Sequence, residues 1–407
     1  MRQLRIALII VFSFIALAII ALMVCLSLGR FGFNWGFSWD FSHATNYKLV
    51  NDRSYDANQI DDINITFTYD EIVILKNSSN KIRVAEYMSR TPAEDELAQI
   101  STDNASFTVR AGRRELFGWF KNYYSRVEVY LPESYEGSLD IETTSGSVEV
   151  KENVTLTDVD VSSSSGSIRF NEILAKNINL NSTSGSTRGS LLDAEGDITI
   201  QSSSGSIGVD RITSSSADLD STSGSIRGSE IICTGKVAME SSSGSINYDN
   251  ISGSAIELKS TSGSIRGKEL LGKDGISVRC SSGGITFDKI DGRHTLETTS
   301  GPIRIDTATV GGEYDSSSGS IRTGFSSVES DITIKATSGS VSLALPVEQA
   351  FNFSAESNSG SVNADFNREV QWNEKSDDGV AGSVGSDPKC NINVKTSSGG
   401  IRISEYQ

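Results

Sequence analysis

A short motif, Ser-Gly-Ser-Ile or a close variant, recurs along most of this 407-residue chain and constrains its fold more than any other feature. Successive motif glycines up to Gly360 are roughly 20 residues apart, and the last gap, from Gly360 to Gly399, equals two such intervals. A fixed period of this length is the signature of a repeat architecture. The motif glycines are Gly146, Gly166, Gly185, Gly205, Gly224, Gly244, Gly263, Gly283, Gly301, Gly319, Gly339, Gly360 and Gly399.

Apolar residues occupy the same positions in each repeat when the repeats are aligned on the motif glycine. They stand seven and five residues before it, as at Ile198 and Ile200, and two and seven residues after it, as at Ile207 and Ile212. This spacing is typical of strands with one buried face, and we expect glycine to give the corner between them its backbone freedom. The pattern predicts an all-β protein, a parallel β-solenoid of about 12 to 13 coils of 18–21 residues each.

The fourth position after the glycine alternates between large and small residues from one coil to the next. A ring that leans over a neighbouring glycine fills space for which two stacked rings would compete. The alternation therefore predicts that the true repeat unit is a pair of coils. The residues at this position are Phe170, Gly189, Val209, Gly228, Tyr248, Gly267 and Phe287.

The segments that flank the regular repeat predict the domain limits. Residues 138–366 are assigned to the solenoid repeats, and residues 367–407 to an irregular insertion and a final coil. Because the open end of a solenoid must be protected from pairing with other chains, residues 42–137 are predicted to form a β-rich amino-terminal cap. Its strand-like stretches are residues 62–69, 72–75, 107–110 and 126–131.

The amino terminus contains an apolar segment, residues 6–28, which is long enough to cross a bilayer as a helix. Because it follows Arg2 and Arg5, the positive-inside rule predicts a single-pass anchor within residues 1–30, with a cytoplasmic amino terminus and the rest of the chain extracytoplasmic. A cleaved signal peptide is the alternative. Lipidation at Cys25 is a weaker one, since Val24 stands where a small residue is expected.

An aromatic segment, residues 31–41, follows the predicted anchor. Its rings alternate with small or polar residues, so an extended backbone places them all on one side. They suit either a linker at the membrane-water interface or a strand that covers an apolar surface. The rings belong to Phe31, Phe33, Trp35, Phe37, Trp39 and Phe41.

Charge and cysteine usage exclude several classes of function. The formal charge is −16 and no basic tract exists, so nucleic acid is not an expected partner. The cysteines Cys25, Cys233, Cys280 and Cys390 are widely separated, which argues against a disulfide framework and a zinc site. No cofactor or metal is predicted, since the Gly-Gly-x-Gly-x-Asp pattern of calcium-binding β-rolls is missing as well.

The junction with the first coil, residues 127–150, reads VEVYLPESYEGSLDIETTSGSVEV. Its Leu-Pro, the alternating strand and the Ser-Gly-Ser-Val corner resemble the start of the solenoid in a bacterial family of putative adhesins of unknown function, and the later coils extend the resemblance over residues 60–403. The resemblance implies a right-handed β-helix-like domain that is exposed in the cell envelope and often tethered to the membrane. It supplies no catalytic residues.

Arginine recurs three residues after the motif glycine, at a position that points outward between buried neighbours. A guanidinium fork suits phosphate and carboxylate groups, so this column is a candidate face for an anionic ligand. The alternative is a solvated ionic face, in which aspartates five residues after the glycine, such as Asp210 and Asp249, pair with the arginines. The residues of the candidate face are Arg188, Arg227, Arg266, Arg304 and Arg322, and Arg169 and Arg402 continue the column.

No catalytic machinery is apparent, and we do not expect an enzyme. Of the two histidines, His294 takes a position otherwise filled by Ile, Leu or Val, so we expect a satisfied strand-end residue there. The predicted function is that of an adhesin-like structural or binding protein whose partner is an envelope glycan or a membrane or surface protein. Alternatives are a component of an envelope-stress signalling system acting through a membrane partner, and a polysaccharide-active β-helix enzyme.

Overall fold

The computed structural model describes residues 47–113 and 124–405. The predicted anchor, residues 1–30, and the aromatic linker, residues 31–41, lie outside the described residues. Within residues 47–113 and 124–405, no helix is long and apolar enough to span a membrane. These residues form 34 strands and one short 3-10 helix, so the fold is all-β.

The strands divide by position along the chain into three groups. The first seven are β1 (Lys48–Asp56), β2 (Asp62–Phe67), β3 (Glu71–Asn77), β4 (Lys81–Met88), β5 (Gln99–Asp103), β6 (Ser106–Arg110) and β7 (Ser125–Pro132), with the 3-10 helix at Glu94–Glu96. The regular repeats contain β8 (Ser138–Thr143), β9 (Val148–Val150), β10 (Val154–Thr155), β11 (Asp158–Ser163), β12 (Ile168–Ala175), β13 (Asn177–Ser182), β14 (Thr187–Ala194), β15 (Asp197–Ser202), β16 (Ile207–Ser214), β17 (Ser216–Ser221), β18 (Ile226–Cys233), β19 (Lys236–Ser241), β20 (Ile246–Ser260), β21 (Ile265–Cys280), β22 (Ile285–Asp291), β23 (His294–Thr298), β24 (Ile303–Ala308), β25 (Gly312–Ser316), β26 (Ile321–Phe325), β27 (Ile332–Ala336) and β28 (Val341–Leu345). The last six are β29 (Phe351–Ser357), β30 (Val362–Asp365), β31 (Val370–Lys375), β32 (Gly379–Val384), β33 (Cys390–Thr396) and β34 (Ile401–Glu405).

Each coil places strand segments on both sides of its motif glycine, and each segment pairs in parallel with its equivalents one coil before and one coil after. Before the glycine, β13 pairs with β11 and β15, and after it β14 pairs with β12 and β16. The register aligns equivalent residues, as in Ile178↔Ile198 and Ile207↔Ile226. The aligned apolar residues are almost fully buried. The predicted parallel β-solenoid is therefore confirmed.

The motif glycines of successive coils stack on one another, but the last two, Gly360 and Gly399, stack in the reverse of their order in the chain. The eleven corners from Gly146 to Gly339 follow the chain, which gives ten intervals and so about ten successive turns. A Cβ on Gly399 would meet the carbonyl oxygen of Gly339, and a Cβ on Gly360 would meet that of Gly399. The corners predicted as 12 to 13 successive coils thus comprise about ten turns in chain order and two further corners in reversed order.

The corner glycines are required for steric reasons rather than for backbone freedom, which corrects our expectation. The positive-φ glycines among the described residues are Gly275, Gly292 and Gly385, and none of them is a corner glycine. At the corners, adjacent coils approach so closely that a side chain has no room. A Cβ on Gly224 would lie 2.0 Å from the carbonyl oxygen of Gly205.

We predict that Gly224→Ala destabilises the protein by about 3 kcal/mol or more, because both clashing groups belong to the backbone and neither can rotate away. Gly208→Ala is the matched control, since its Cβ would meet only the Cγ atoms of Arg188 and Arg227, each at 3.8 Å. We expect the control to change stability by less than about 1 kcal/mol, in the stabilising direction. Urea unfolding followed by circular dichroism measures both, and equal losses would contradict the steric explanation.

A buried hydroxyl three residues before most of the corner glycines links successive coils. The Ser241 hydroxyl accepts a hydrogen bond from the Gly244 amide (2.9 Å) and donates one to the Gly224 carbonyl of the preceding coil (3.0 Å). Ser221 makes the equivalent bonds to Gly224 and Gly205. Buried polar groups at the corner are thereby satisfied. This position holds Ser or Thr in every motif coil except those with Cys280 and Ala336.

We predict that Ser241→Ala costs about 1–3 kcal/mol, because it leaves the buried Gly244 amide and the Gly224 carbonyl without this partner. Ser242→Ala, one residue along the same corner at an exposed position, should change stability by less than about 0.5 kcal/mol. Thermal and urea unfolding of the two variants measure the difference. If both alanines had the same small effect, the hydroxyls would not link the coils.

The alternation of large and small residues inside the solenoid is confirmed. An added Cβ on Gly189 would strike the ring of Phe170, one on Gly228 the ring of Tyr248, and one on Gly267 the ring of Phe287. Each ring therefore occupies the space that the glycine of a neighbouring coil leaves open. The buried Tyr248 hydroxyl donates a hydrogen bond to the carbonyl of Val209, two coils back (2.8 Å).

Both ends of the solenoid have exchanged coil order. At the amino-terminal end, β2 pairs with both β6 and β8, and β3 pairs with both β7 and β9. At the other end, β33 lies between β27 and β29, and β34 lies between β28 and β30. Residues 367–407, assigned from the sequence to an irregular insertion and a final coil, contain the hairpin of β31 and β32 and then a coil, β33 and β34, that inserts between the two coils before it.

Antiparallel strands close both ends. At the amino-terminal end, β1 pairs with β4, β4 with β7, and β5 with β6. At the other end, β32 pairs with β29 and with β31, and Trp372 packs edge-on against Phe353 with 5.6 Å between ring centroids. These strands cover ladder edges that would otherwise be open to other chains. The region predicted as a cap, residues 42–137, also continues the parallel ladders through β2, β3, β6 and β7.

Candidate functional site

Three of the predicted arginines, Arg188, Arg227 and Arg266, line one groove on the flank of the solenoid. The strand register places Gly208 between the first two and Asn247 between the second two. Arginine therefore occurs at every second coil, and the spacing of paired strands puts successive arginines about 9–10 Å apart along the rod. All three side chains are exposed.

Aspartates line the same groove in the coils that lack an arginine. Asp210, Asp249 and Asp288 stand five residues after their corner glycines, in the coils that carry Gly208, Asn247 and Thr286 at the arginine position. Successive aspartates are thus also two coils apart, offset by one coil from the arginines. This offset is already present in the sequence when the repeats are aligned on their corner glycines.

The groove is open and has a volume of about 810 Å³. Gly189, Gly228 and Gly267 line it between the two charged rows and leave the backbone at its floor. These glycines are the small members of the interior alternation described above.

The arginines of the groove have no ion-pair partner within residues 47–113 and 124–405, because no carboxylate oxygen there lies within 4.0 Å of Arg188, Arg227 or Arg266. Of the aspartates, Asp249 pairs with Lys268 at 2.8 Å, and this hydrogen bond raises the pKa of the lysine above its ordinary value. The predicted alternative, aspartates that pair with the arginines, does not describe these three arginines. Their guanidinium groups stay available to a ligand.

The two remaining predicted arginines lie farther along the same column, outside the groove lining. Arg304 and Arg322 are direct neighbours in adjacent coils. Arg304 forms an ion pair with Asp306 of its own strand at 3.2 Å. The five predicted residues therefore share one column, but only three of them line one site.

His294 is buried in the solenoid, as its position in an apolar column predicted. Its Nδ1 lies 2.9 Å from the carbonyl of Gly292, so Nδ1 carries a proton and Nε2 accepts the hydrogen bond from the Tyr314 hydroxyl at 2.7 Å. Thr323 completes the chain with a hydroxyl 2.9 Å from that of Tyr314. Burial lowers the pKa of His294 to about 4, with the Gly292 carbonyl acting weakly in the opposite direction. This histidine is a structural residue.

We predict that His294 makes the protein acid-sensitive. Because the pKa of His294 is about 4 in the folded chain and 6.5 ordinarily, protonation favours the unfolded state as pH falls from 6.5 towards 4. Between pH 7.5 and 5.0 the native protein should lose about 2 kcal/mol more free energy of unfolding than His294→Leu. Urea unfolding at both pH values measures this, and parallel pH profiles would contradict it.

Within residues 47–113 and 124–405, no group of three or more His, Cys, Asp or Glu side chains is placed to hold a metal ion. Cys233, Cys280 and Cys390 are free thiols in buried positions, and desolvation raises the pKa of each. A raised thiol pKa disfavours the reactive thiolate. Cys25 lies outside the described residues.

Comparison with known families supports the assignment of the repeat. The family described as Toastrack DUF4097 matches residues 60–195, 190–294 and 276–404. These three matches together cover nearly the same residues, 60–403, in which we found the resemblance to a solenoid family. That resemblance is confirmed. Among curated proteins, none is significantly similar to this chain.

Solved structures with some similarity to this chain include bacterial proteins described as adhesins. A putative adhesin from Bacteroides fragilis is 12% identical over 88% of this chain and 97% of its own, with a TM-score of 0.28. A putative cell adhesion protein from Clostridium sporogenes is 11% identical over 88% and 100%, with a TM-score of 0.19. A putative lipid binding protein from Parabacteroides distasonis is 17% identical over 67% and 96%, with a TM-score of 0.22. None of these names describes an enzyme, and likenesses this distant do not bear on function.

Proposed function

Because this chain belongs to the Toastrack DUF4097 family, we propose that it is an adhesin-like binding protein of the bacterial cell envelope. Residues 6–28 anchor it in the membrane as a single helix, since they are apolar and long enough to span it. Arg2 and Arg5 keep the short amino terminus in the cytoplasm. The solenoid then stands outside the cytoplasm and presents its flank to envelope components.

The observation that carries this proposal is the groove on the flank of the solenoid, with three arginines that lack intramolecular ion-pair partners among the described residues. Exposed guanidinium groups at regular intervals suit the recognition of an extended partner rather than a small molecule. The net charge of −16 disfavours nucleic acid as that partner. An envelope glycan or a surface protein fits better.

A catalytic role has little support. Enzymes that cleave polysaccharides on β-helices need acidic side chains that converge in a cleft, and long loops usually build that cleft. Corners from Gly146 to Gly339 follow one another at nearly constant, short intervals, so these coils have no room for such loops. The long flank is suited to contact rather than to chemistry.

The test is a pull-down with the full chain, solubilised in a non-ionic detergent and immobilised, against fractionated bacterial envelopes. We expect retention of a glycan-containing or surface-protein fraction and, in whole cells, recovery of the chain in the membrane fraction until detergent is added. Deletion of residues 1–41 should release the chain from the membrane without abolishing retention.

The control for the pull-down is a chain in which Arg188, Arg227 and Arg266 are replaced with glutamine. If retention did not depend on these arginines, the binding surface would lie elsewhere on the solenoid. No retention of any envelope fraction, or recovery of the full chain in the soluble fraction, would contradict the proposed function.

A further inference from the structure

The charged residues of the groove alternate with a period of two coils, and internal packing does not require them to do so. Inside the solenoid the alternation has a steric cause, because Tyr248 and Phe287 occupy the space above Gly228 and Gly267. The arginines and aspartates point outward and do not belong to the apolar core. Core packing therefore does not account for their alternation.

The groove presents two different chemistries in turn. A coil with an arginine carries serine or lysine two residues later, as in Arg227 with Ser229 and Arg266 with Lys268. The coil between them carries Asn247 and then Asp249. A ligand that follows the groove thus meets a cationic coil and an acidic coil alternately, about 5 Å apart.

We propose that this groove binds a linear glycan in which acidic sugars alternate with neutral sugars. The proposal rests on the proposed binding function and names the chemistry of the partner. The carboxylate of each acidic sugar lies against the guanidinium of Arg188, Arg227 or Arg266, with which it can form paired hydrogen bonds. The hydroxyls of each neutral sugar donate to Asp210, Asp249 or Asp288.

The aspartates make the site selective against a uniform polyanion. Arginines alone would attract any anionic polymer, but a polymer with an acid on every sugar would place carboxylates beside Asp210 and Asp249. Like charges at such contacts are repulsive, so only the alternating glycan satisfies both rows. The distance between successive arginines, about 9–10 Å, is close to the length of two sugar units in an extended chain.

The length of the groove favours polymers over small ligands. From Arg188 to Asp288 it spans six coils, five intervals of about 4.8 Å, which is about 24 Å. Three arginines within this length allow three acidic groups of one chain to bind together, so that each contact raises the effective concentration for the next. Affinity should therefore rise steeply with oligomer length up to three disaccharides and then level off.

The test uses the full chain in non-ionic detergent and calorimetric titration with three probes. Hyaluronan oligosaccharides alternate glucuronate with N-acetylglucosamine, oligogalacturonate carries an acid on every sugar, and dextran is neutral. We expect the hyaluronan hexasaccharide to bind at least about 10-fold more tightly than oligogalacturonate of equal length, with no measurable binding of dextran. The hyaluronan disaccharide should bind too weakly to measure.

Substitutions in the row of arginines and in the row of aspartates test the contribution of each row separately. Arg188→Gln, Arg227→Gln and Arg266→Gln together should weaken hyaluronan binding by at least about 30-fold. The control combines Arg83→Gln, Arg279→Gln and Lys395→Gln, which remove the same charge from exposed ion pairs elsewhere and should change affinity less than about 2-fold. Asp210→Asn, Asp249→Asn and Asp288→Asn together should strengthen oligogalacturonate binding relative to hyaluronan binding.

Equal affinity for hyaluronan and oligogalacturonate in the native chain would overturn the proposal in favour of simple attraction of polyanions. The same holds if the ratio of these two affinities is unchanged when Asp210, Asp249 and Asp288 are replaced with asparagine. Absence of binding to all three probes would also overturn it. In that case retention of an envelope fraction in the pull-down would leave the proposed binding function standing. Hyaluronan binding without retention of any envelope fraction would instead contradict the proposed function in the envelope and leave the proposed glycan chemistry standing.

Discussion

The close contact between corner glycines of adjacent coils is the constraint on which the rest of the structure depends. A Cβ on Gly244 would lie 2.1 Å from the carbonyl oxygen of Gly224, so any side chain here would force the coils apart. With glycine, the coils stack closely enough for both ladders to pair in parallel on either side of the corner. At this corner the Ser241 hydroxyl then satisfies the Gly244 amide and the Gly224 carbonyl that the contact buries.

Because the coils are evenly spaced, equivalent interior side chains form columns in which each side chain lies at the same distance from the next. Equivalent side chains lie directly above one another, and from Phe170 to Phe287 large residues alternate with glycine at the fourth position after the corner. Tyr248 at this position lies over Gly228, and His294, seven residues before its own corner, lies beside Gly312, so each ring occupies space where the neighbouring coil has no side chain. The polar atoms of these rings find partners within the column, at the Val209 carbonyl and the Tyr314 hydroxyl.

The sequence predicted the solenoid because stacking repeats one local pattern, and the pattern is visible in the positions of glycine and isoleucine. Three features of the structure were not predicted from the sequence, each for a physical reason. A glycine needed for close approach looks the same in sequence as one needed for a left-handed backbone. The exchange of coil order at β33 and β29 depends on pairing between distant segments, which a period cannot reveal. The groove is lined by arginines and aspartates that stand on alternate coils, such as Arg227 and Asp249. Only interatomic distances show that its arginines have no ion-pair partner among the described residues.

Periodicity also links the interior to the flank. Large and small residues alternate from coil to coil inside, and the small members Gly189, Gly228 and Gly267 lie between the two rows of outward side chains that border the groove. Arg188, Arg227 and Arg266 stand on the same coils as the groove glycines, and the aspartates stand on the others. A rod with this two-coil period presents its chemistry at intervals of about 9–10 Å, so a partner that repeats at the same interval gains a contact with each repeat, whereas a partner with another period falls out of register within a few coils.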